Sequence, residues 1–278
     1  MGRLAETFAR LRGEQRRALV IYLTAADPDV DTTIRAGRVA LEAGADILEV
    51  GVPFSDPVAD GPVIQRAMGR ALANGGGLHS AYDILEGLRG DGARAPLVVF
   101  GYLNPLLWEG FESSCSRIRA AGGDALLTVD APTEEAGPYQ RVAAQYGLDW
   151  VSLVAPTSGP ERVASIASEA SGFLYLVSMT GVTGGSLTNL DAVRDQLQRI
   201  RAAAQIPVCV GFGVRDRASA RAVGQLADGV VVGSAAVRAL ERDVARGSDD
   251  LSGLRALIAE LRAGLDAATQ HAGEAKGV

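Results

Sequence analysis

The stretch from residue 45 to residue 65 reads ADILEVGVPFSDPVADGPVIQ, an apolar run followed by a loop rich in proline and aspartate. Its first half has the near-continuous apolar character of a strand that is covered on both faces. The proline and aspartate of residues 54–61 do not extend a strand, and Pro62 is typical of the first turn of a helix. This stretch therefore predicts a buried strand, an ordered loop and then a helix.

Short apolar, β-branched runs of the same kind recur along the chain, with amphipathic stretches between them. Such alternation predicts parallel strands that are joined by crossover helices. Eight of these units predict an α/β fold, a single-domain (β/α)8 or TIM barrel, in which the loops at the C-terminal strand ends carry the chemistry. The predicted strands are Ala18–Ala25, Asp46–Pro53, Pro96–Tyr102, Ala125–Ala131, Trp150–Pro156, Phe173–Met179, Pro207–Val214 and Gly229–Ser234.

Two features depart from the strict repeat. A helix is predicted at Arg3–Arg12, before the first strand, and the gap between the second and third strands is long enough for an inserted loop and helix. The barrel domain is expected to span residues 1–268, and the polar residues 269–278 are expected to form a disordered tail. An open doubly wound sheet would produce a similar alternation, but the strand count and the glycine-rich strand ends favour a closed barrel.

Composition narrows the class of protein. The chain has 278 residues, 47% of them hydrophobic and 22% charged, and 33 acidic minus 27 basic residues leave a net charge of -6. No block of lysine and arginine suggests binding to nucleic acid or to an anionic membrane. No apolar run approaches the roughly 18 residues of a membrane span. These observations predict a cytoplasmic protein that acts on a small metabolite.

Cysteine and histidine are too sparse for several kinds of site. Cys115 falls in a helical stretch and Cys209 in an apolar strand, a usage that indicates two reduced thiols. With only His79 and His271 present, a histidine-based triad or metal site is not expected. The glycine motifs that bind nucleotides are missing, so the sequence predicts neither a cofactor nor a metal.

Glu49 is a carboxylate in the middle of the apolar strand, and Asp60 follows eleven residues later in the loop. A buried carboxyl group without a partner has a raised pKa, which is what a general acid needs. A strand carboxylate would then face a loop carboxylate across a cleft. The alternative is structural: Glu49 closes a buried ion pair, and Asp60 is a turn or helix-cap residue.

Glycine-rich strand ends occur three times in the last third of the chain, at residues 181–185, 211–213 and 233–234. Glycine lets backbone N–H groups approach an anion closely, and a helix N-terminus adds partial positive charge. TIM barrels often bind phosphate after strands seven and eight. Because these motifs contain no lysine or arginine, a phosphate would be held by backbone amides and by the Ser234 hydroxyl.

The stretch from Leu48 to Gln65 closely resembles the signature of the tryptophan synthase α subunit family. Further matches to that family follow in chain order, and the resemblance covers nearly everything except the tail. They are Tyr22-Leu23-Thr24 with Asp27-Pro28, Gly101-Tyr102-Leu103-Asn104-Pro105, Leu153-Val154-Ala155-Pro156-Thr157, Gly181-Val182-Thr183-Gly184 and Gly211-Phe212-Gly213.

This resemblance implies a TIM barrel that catalyses retro-aldol cleavage of indole-3-glycerol phosphate to indole and D-glyceraldehyde 3-phosphate. It implies that Glu49 is the general acid/base and that Asp60 accepts the indole N–H. Thr183 would tether a closing loop to Asp60. The indole would lie among Tyr22, Phe100, Leu127, Tyr175 and Phe212, and the phosphate would bind at Gly184, Gly213, Gly233 and Ser234. For the aromatic residues, plain core packing is the alternative.

The resemblance also implies a partner, a pyridoxal-phosphate-dependent β subunit in an α2β2 heterotetramer. Positions that match the contact with this partner are Asp56, Pro57, Asn104 and Pro132. The chain departs from the usual family pattern at Ala26, where glycine is common, at Ala131 and Thr133, and at Gly185-Ser186. These departures bear on loop closure and on the strength of coupling to the partner.

Other readings share part of the same sequence features. A stand-alone indole-3-glycerol-phosphate lyase would carry the same catalytic residues without a β partner. A non-catalytic α-like paralogue would only bind and activate a partner, although the intact Glu49 and Asp60 argue against it. Another phosphate-binding barrel, such as a sugar-phosphate isomerase, would need a base elsewhere, and the sequence offers no equally good candidate.

Overall fold

The computed structural model describes residues 2–177, 190–211 and 213–274, with side chains as far as residue 269. Helices and strands alternate along the chain. The strands are β1 Ala18–Thr24, β2 Ile47–Gly51, β3 Leu97–Gly101, β4 Ala125–Thr128, β5 Asp149–Trp150, β6 Ser152–Val154, β7 Leu174–Val177, β8 Val208–Gly211 and β9 Gly229–Val232. The helices are α1 Arg3–Gly13, α2 Val30–Glu42, α3 Pro62–Ala73, α4 Leu78–Gly90, α5 Leu103–Trp108, α6 Phe111–Ala120, α7 Thr133–Gln145, α8 Pro160–Glu169, α9 Leu190–Ala203, α10 Arg217–Gly224, α11 Ser234–Ala245 and α12 Ser252–Glu274.

The strands form one parallel sheet in the order β5-β4-β3-β2-β1-β9-β8-β7-β6. The two ends of this order, β5 and β6, are separated in the chain by Val151 alone. β5 pairs with β4 and β6 pairs with β7, so this segment joins both edges of the sheet. The TIM barrel is thereby confirmed, and the open doubly wound sheet is not the fold.

The described residues contain nine strands where the sequence predicts eight. The predicted fifth strand is divided at Val151, because the segment stops pairing with one neighbour and begins to pair with the other there. The other predicted strands start within one residue of their observed starts and extend past their observed ends. For the first four strands, those excess residues lie in the segments at the C-terminal rim, outside the ladder.

Helix α5 is absent from the sequence prediction. It follows β3 directly and contains Pro105 as its third residue. Proline interrupts a helix interior because it lacks a backbone N–H. In the first turn, however, the N–H groups have no hydrogen-bond partner within the helix, so none is lost. A proline at this position is therefore compatible with the helix.

The polar end of the chain also differs from the prediction in part. α12 runs to Glu274, so residues 269–274, which were assigned to the tail, continue the helix. Its earlier residues Leu254, Ile258, Leu261 and Leu265 are fully buried against the barrel. No proline interrupts the polar residues that follow, and a helix already anchored by packing can extend through them.

Side chains alternate between two apolar clusters along each strand. On β2, Ile47 points into the barrel, whereas Leu48 and Val50 pack outward against the helices. Glu49 has the same parity as Ile47, and it therefore points into the barrel. The interior also contains Tyr22 and Phe100 from the flanking strands.

Helix α1 covers the end of the barrel where the strands begin. Its Leu4, Phe8 and Leu11 are buried, and the rings of Phe8 and Phe173 lie 5.8 Å apart. At the same end a repeated device joins neighbouring strands. A carboxylate that precedes one strand accepts the backbone N–H at the start of the strand beside it, as for Asp46 with Leu19, Asp124 with Leu97 and Asp228 with Val208. This end of the barrel is built for stability.

Phe8→Ala should lower the free energy of unfolding by about 3 kcal/mol, because it leaves a cavity beneath the interior cluster. Urea unfolding of the purified chain measures the change. Arg12→Ala, an exposed substitution on the same helix, is the matched control and should stay within about 0.5 kcal/mol of the parent. Equal stability of Phe8→Ala and the parent would mean that α1 is not an integral part of the barrel.

Candidate active site

Glu49 lies inside the barrel near the C-terminal strand ends, with 1% of its surface exposed. In register it stands beside Tyr22 of β1 and Val98 of β3. Both carboxyl oxygens are buried without a hydrogen-bond partner among the described residues. The buried ion pair that was the structural alternative for Glu49 is therefore not found in this part of the chain.

Burial raises the pKa of Glu49 to about 8 from an ordinary value of 4.5. Desolvation is the cause, since no cation or hydrogen-bond donor among the described residues stabilises the charged form. At neutral pH the group is mostly protonated. It can give a proton to a substrate that enters the cleft, and it can take one back.

Asp60 lies in the loop between β2 and α3, where its carboxylate accepts a hydrogen bond of 2.7 Å from the Tyr102 hydroxyl. The same hydroxyl accepts a bond of 2.9 Å from the N–H of Ala59. Burial raises the pKa of Asp60, and the bond from Tyr102 acts in the opposite direction. Asp60 does take part in a turn, through its N–H to Pro57, but the residue that caps α3 is Gly61. Its side chain is thus held by Tyr102.

The two carboxyl groups share their surroundings. Burial raises the pKa of the Tyr22 hydroxyl, and the charges of Asp60 and Glu49 raise it further. The pKa of Tyr175 is raised in the same way, by burial first and then by Glu49 and Asp60. The two carboxyl groups therefore act on the same two tyrosines, and Tyr22 lies beside Glu49 in the register of β1 and β2.

Apolar groups form the wall of this cleft. The rings of Tyr22 and Phe100 are 5.2 Å apart and meet edge to face, and Leu127 is buried in the same cluster. Two strand-end glycines make room for the tyrosines. A Cβ at Gly51 would collide with the Tyr22 ring, and one at Gly211 would collide with that of Tyr175. Any side chain at these positions would displace the cleft wall.

The predicted phosphate end lies beside this wall. Gly233 precedes α11, and Ser234 is the first residue of that helix. A Cβ built on Gly233 would stand 3.7 Å from Cβ of Tyr22 and 3.5 Å from Cδ1 of Ile64, which places the N-terminus of α11 next to the cleft. Gly213 has a φ of 52°, a backbone conformation that favours glycine. Thr183, Gly184 and Phe212 lie outside the described residues.

The segments after three adjacent strands, two loops and the short helix α5, carry the residues predicted to contact a partner. Asp56, Asn104 and Pro132 are exposed, and Pro57 is half-buried. The loops are linked to one another, since the N–H of Leu103 donates to Asp130 at 2.8 Å. Two large apolar side chains on the same loops are exposed to solvent, Val58 at 87% and Trp108 at 90%.

Tyr102 and Gly51 are the functional residues whose roles sequence reasoning missed. Both stood within the quoted motifs, but neither had a role assigned. A tyrosine directly after a strand, in a chain with a candidate catalytic aspartate on the neighbouring loop, would have been a usable signal for Tyr102. The role of Gly51 depends on the ring of a neighbouring strand, and no local signal could have shown it.

Three further points concern metals, thiols and membranes. Within the described residues, no group of three or more histidine, cysteine, aspartate or glutamate side chains is arranged to hold a metal ion. Cys115 and Cys209 are both free and buried. None of the helices in the described ranges has the length and apolar character needed to cross a bilayer.

The fold and the site together define an enzyme of the TIM-barrel class, with two carboxyl groups of raised pKa at the C-terminal rim and a free helix N-terminus beside them. The family model described as tryptophan synthase alpha chain matches residues 8–266. The chain belongs to this family.

Individual relatives agree with the family match. The chain is 45% identical over 267 residues to the tryptophan synthase alpha chain of Nitrosococcus oceani, covering 96% of this chain and 98% of that one. It is 43% identical over 266 residues to that of Dechloromonas aromatica, with the same coverage. The crystal structure of tryptophan synthase subunit alpha from Legionella pneumophila superposes with a TM-score of 0.90 at 34% identity, covering 96% of this chain and 99% of that chain. A chain of tryptophan synthase from M. tuberculosis, in an aminoacrylate-bound form, has a TM-score of 0.85 and 38% identity, covering 95% of this chain and all of that one.

The stability of the fold should depend on the protonation of Glu49. Its pKa is about 8 in the folded chain and near 4.5 when unfolded, so the neutral form favours folding below the lower value, and this contribution is lost as the pH rises to the upper one. Glu49→Gln removes the ionisation. At about pH 8 the variant should be more stable than the parent by up to about 4 kcal/mol, and near pH 4 the two should be about equal.

Urea unfolding at several pH values measures this difference. Glu86→Gln, on the exposed face of α4, serves as the control and should differ from the parent by a constant amount. If the advantage of Glu49→Gln does not grow with pH, then Glu49 is ionised or paired in the folded chain.

Proposed function

We propose that this chain cleaves indole-3-glycerol phosphate to indole and D-glyceraldehyde 3-phosphate by a retro-aldol reaction, as the α subunit of tryptophan synthase. Membership of the family gives the chain an alpha-chain role in tryptophan biosynthesis and an enzymatic role as a lyase; the particular reaction is the proposal. The observation that carries it is the buried carboxyl group of Glu49, which has no hydrogen-bond partner in residues 2–177, 190–211 and 213–269 and whose pKa is raised to about 8.

The reaction needs a proton at one carbon and a base at one oxygen. Glu49 in its neutral form gives its proton to C3 of the indole ring, which leaves a positively charged ring nitrogen. The resulting carboxylate then removes the proton from the hydroxyl group next to the ring. The carbon–carbon bond breaks, its electrons return to the ring, and the oxygen becomes the aldehyde carbonyl. Glu49 ends the cycle protonated, so one carboxyl group serves as acid and then as base.

Asp60 suits the complementary task. An ionised carboxylate that accepts the ring N–H stabilises the positive charge that develops when C3 is protonated. The hydrogen bond from Tyr102 favours the ionised form of Asp60 and fixes its orientation. Within the part of the chain that the structure describes, Glu49 has no such donor. The two environments therefore separate the roles, one carboxyl group being neutral and the other ionised.

The other end of the substrate is a phosphate. The N-terminus of α11, at Gly233 and Ser234, offers backbone N–H groups and a favourable dipole next to Tyr22. We assign the phosphate to this end together with Gly184 and Gly213. The indole ring then lies in the apolar part of the cleft, among Tyr22, Phe100, Leu127, Tyr175 and Phe212, and Thr183 is assigned to loop closure over Asp60.

A partner subunit is part of the proposal. The loops after β2, β3 and β4 expose Asp56, Asn104 and Pro132 together with two large apolar side chains. We assign this surface to a pyridoxal-phosphate-dependent β subunit in an α2β2 assembly, in the cytoplasm. The cleft opens on the same side of the barrel, so indole released there would emerge near the partner.

The proposal is tested by measuring indole release from indole-3-glycerol phosphate by the purified chain, alone and with a β subunit plus serine. Glu49→Gln should abolish release, because the amide can neither give nor accept the proton, and substrate binding should be kept. Asp60→Asn should be severely impaired, with some residual rate since an amide oxygen can still accept the N–H. For the parent chain, kcat/KM should fall as the pH rises above about 8, where Glu49 loses its proton.

Each result separates the readings. Slow release alone and fast release with the β subunit would support a synthase α subunit, whereas fast release alone would indicate a stand-alone lyase. No release in either condition would indicate a non-catalytic paralogue. Normal turnover by Glu49→Gln would remove Glu49 from the mechanism.

The partner surface has its own test. Asn104→Ala should leave indole release by the chain alone unchanged and should reduce the acceleration that the β subunit causes, because Asn104 is exposed on the assigned surface. Glu86→Ala, exposed on α4, should retain the full acceleration. Full acceleration of Asn104→Ala would place the partner contact elsewhere.

A further inference from the structure

Arg70, on α3, makes ionic contacts with two other elements of the C-terminal rim. Its Nε and Nη2 donate to the two carboxylate oxygens of Asp27, each at 2.8 Å. Its remaining nitrogen, Nη1, donates to Oε1 of Glu241 at 2.7 Å. One guanidinium group thus joins α3 to the loop after β1 and to α11.

The contact with Asp27 is the stronger of the two. Asp27 is buried, with 3% of its surface exposed, and a bidentate guanidinium–carboxylate pair fixes both distance and orientation. The loop that presents Asp27 is itself constrained: Ala26 has a φ of 58°, and the amide of Asn74, just after α3, donates to the carbonyl of Pro28 at 2.8 Å. The loop after β1 and the end of α3 are therefore held together at two points.

These elements carry opposite ends of the proposed active site. α3 begins at Pro62, two residues after Asp60, and α11 begins at Ser234, at the proposed phosphate site. The two helices come together at the cleft, where Gly233 lies close to Ile64 of α3 and to Tyr22 of β1. How α3 sits relative to α11 therefore decides how far Asp60 is from the phosphate site.

We propose that Arg70 is a positioning residue that sets the distance between the carboxylate end and the phosphate end of the cleft, through Asp27 and Glu241. The inference rests on the proposed function, because it concerns a substrate that reaches both ends at once. Arg70 does not touch the substrate. It lies eight residues beyond Pro62, roughly 12 Å along the helix, and acts through the two helices and the loop that it joins.

The chemistry explains why arginine stands at this position. Three nitrogens in one plane bind two carboxylates in a defined geometry, whereas the single ammonium group of lysine keeps the charge but cannot reproduce that geometry. Arg70→Lys therefore preserves the net charge, but it no longer fixes the positions of α3, the loop after β1 and α11 relative to one another. A misplacement of the reacting groups by about 1 Å is enough to reduce turnover by up to about a hundredfold.

The test uses two half-substrates beside the whole one. Indole and glycerol phosphate each occupy one end of the cleft, so their binding does not depend on the distance between the ends. For Arg70→Lys we expect the dissociation constants of both half-substrates to stay unchanged, and kcat for indole-3-glycerol phosphate to fall by about tenfold to a hundredfold. Glu241→Gln breaks only the contact with α11, and kcat should fall in the same direction by less.

Arg89 provides the matched control. It also binds a buried carboxylate, with Nη2 at 2.6 Å from Oδ2 of Asp124, but at the opposite end of the barrel. Arg89→Lys should lower the melting temperature without changing kcat. Should Arg70→Lys fail to fold, Glu241→Gln carries the test, since its contact with Arg70 is half-exposed.

The outcomes are distinct. A normal kcat in both Arg70→Lys and Glu241→Gln would overturn the inference and leave the proposed function intact. Loss of half-substrate binding in parallel with kcat, or an equal loss of kcat in Arg89→Lys, would overturn it in favour of a general structural role. No indole release by the parent chain, alone or with a β subunit, would overturn the proposed function and this inference with it.

Discussion

A carboxyl group without an ionic partner inside an apolar barrel is the constraint on which the site depends. Glu49 is buried, both of its oxygens lack partners among the described residues, and desolvation raises its pKa to about 8. Such a group lowers stability at neutral and higher pH, because the folded chain resists an ionisation that the unfolded chain undergoes freely. The barrel wall excludes water from the carboxyl group. This desolvation raises the pKa of Glu49, so that the group is still protonated near neutral pH. The same feature that weakens the fold gives Glu49 its chemistry.

The two ends of the barrel differ in the kinds of contact that they contain. At the end where the strands begin, α1 covers the interior, and carboxylates such as Asp46 and Asp124 bind both arginines and strand N–H groups. At the other end, several strands finish in glycine and lead into loops. The carboxyl groups of Glu49 and Asp60 lie at this end. The ion pairs of Asp46 and Asp124 thus lie at the opposite end of the barrel from Glu49, and substitutions there are expected to affect stability independently of the candidate site.

Several parts of the fold followed from local patterns, and others did not. Apolar runs separated by amphipathic stretches predicted the strands, the helices between them and the closed barrel, since burial on both faces requires that pattern. The division of the fifth strand at Val151 depends on which neighbours it pairs with, and a single strand's composition carries no such information. Helix α5 was not predicted, because six residues that include a proline are too short to show a helical period. The helical start of the predicted tail depends on the packing of α12 against the barrel.

The sequence by itself determined that this chain is a TIM barrel with a carboxylate in its second strand, because hydrophobic periodicity and an ionisable residue within an apolar run are local properties. It also pointed to Asp60 and to a glycine-rich phosphate end. Only the tertiary structure decided that Glu49 has no partner among the described residues, that Tyr102 holds Asp60, and that Gly51 makes room for the ring of Tyr22. It alone showed that Arg70 joins α3 to α11. These are contacts between residues far apart in the chain, and their geometry exists only once the strands have closed into a barrel.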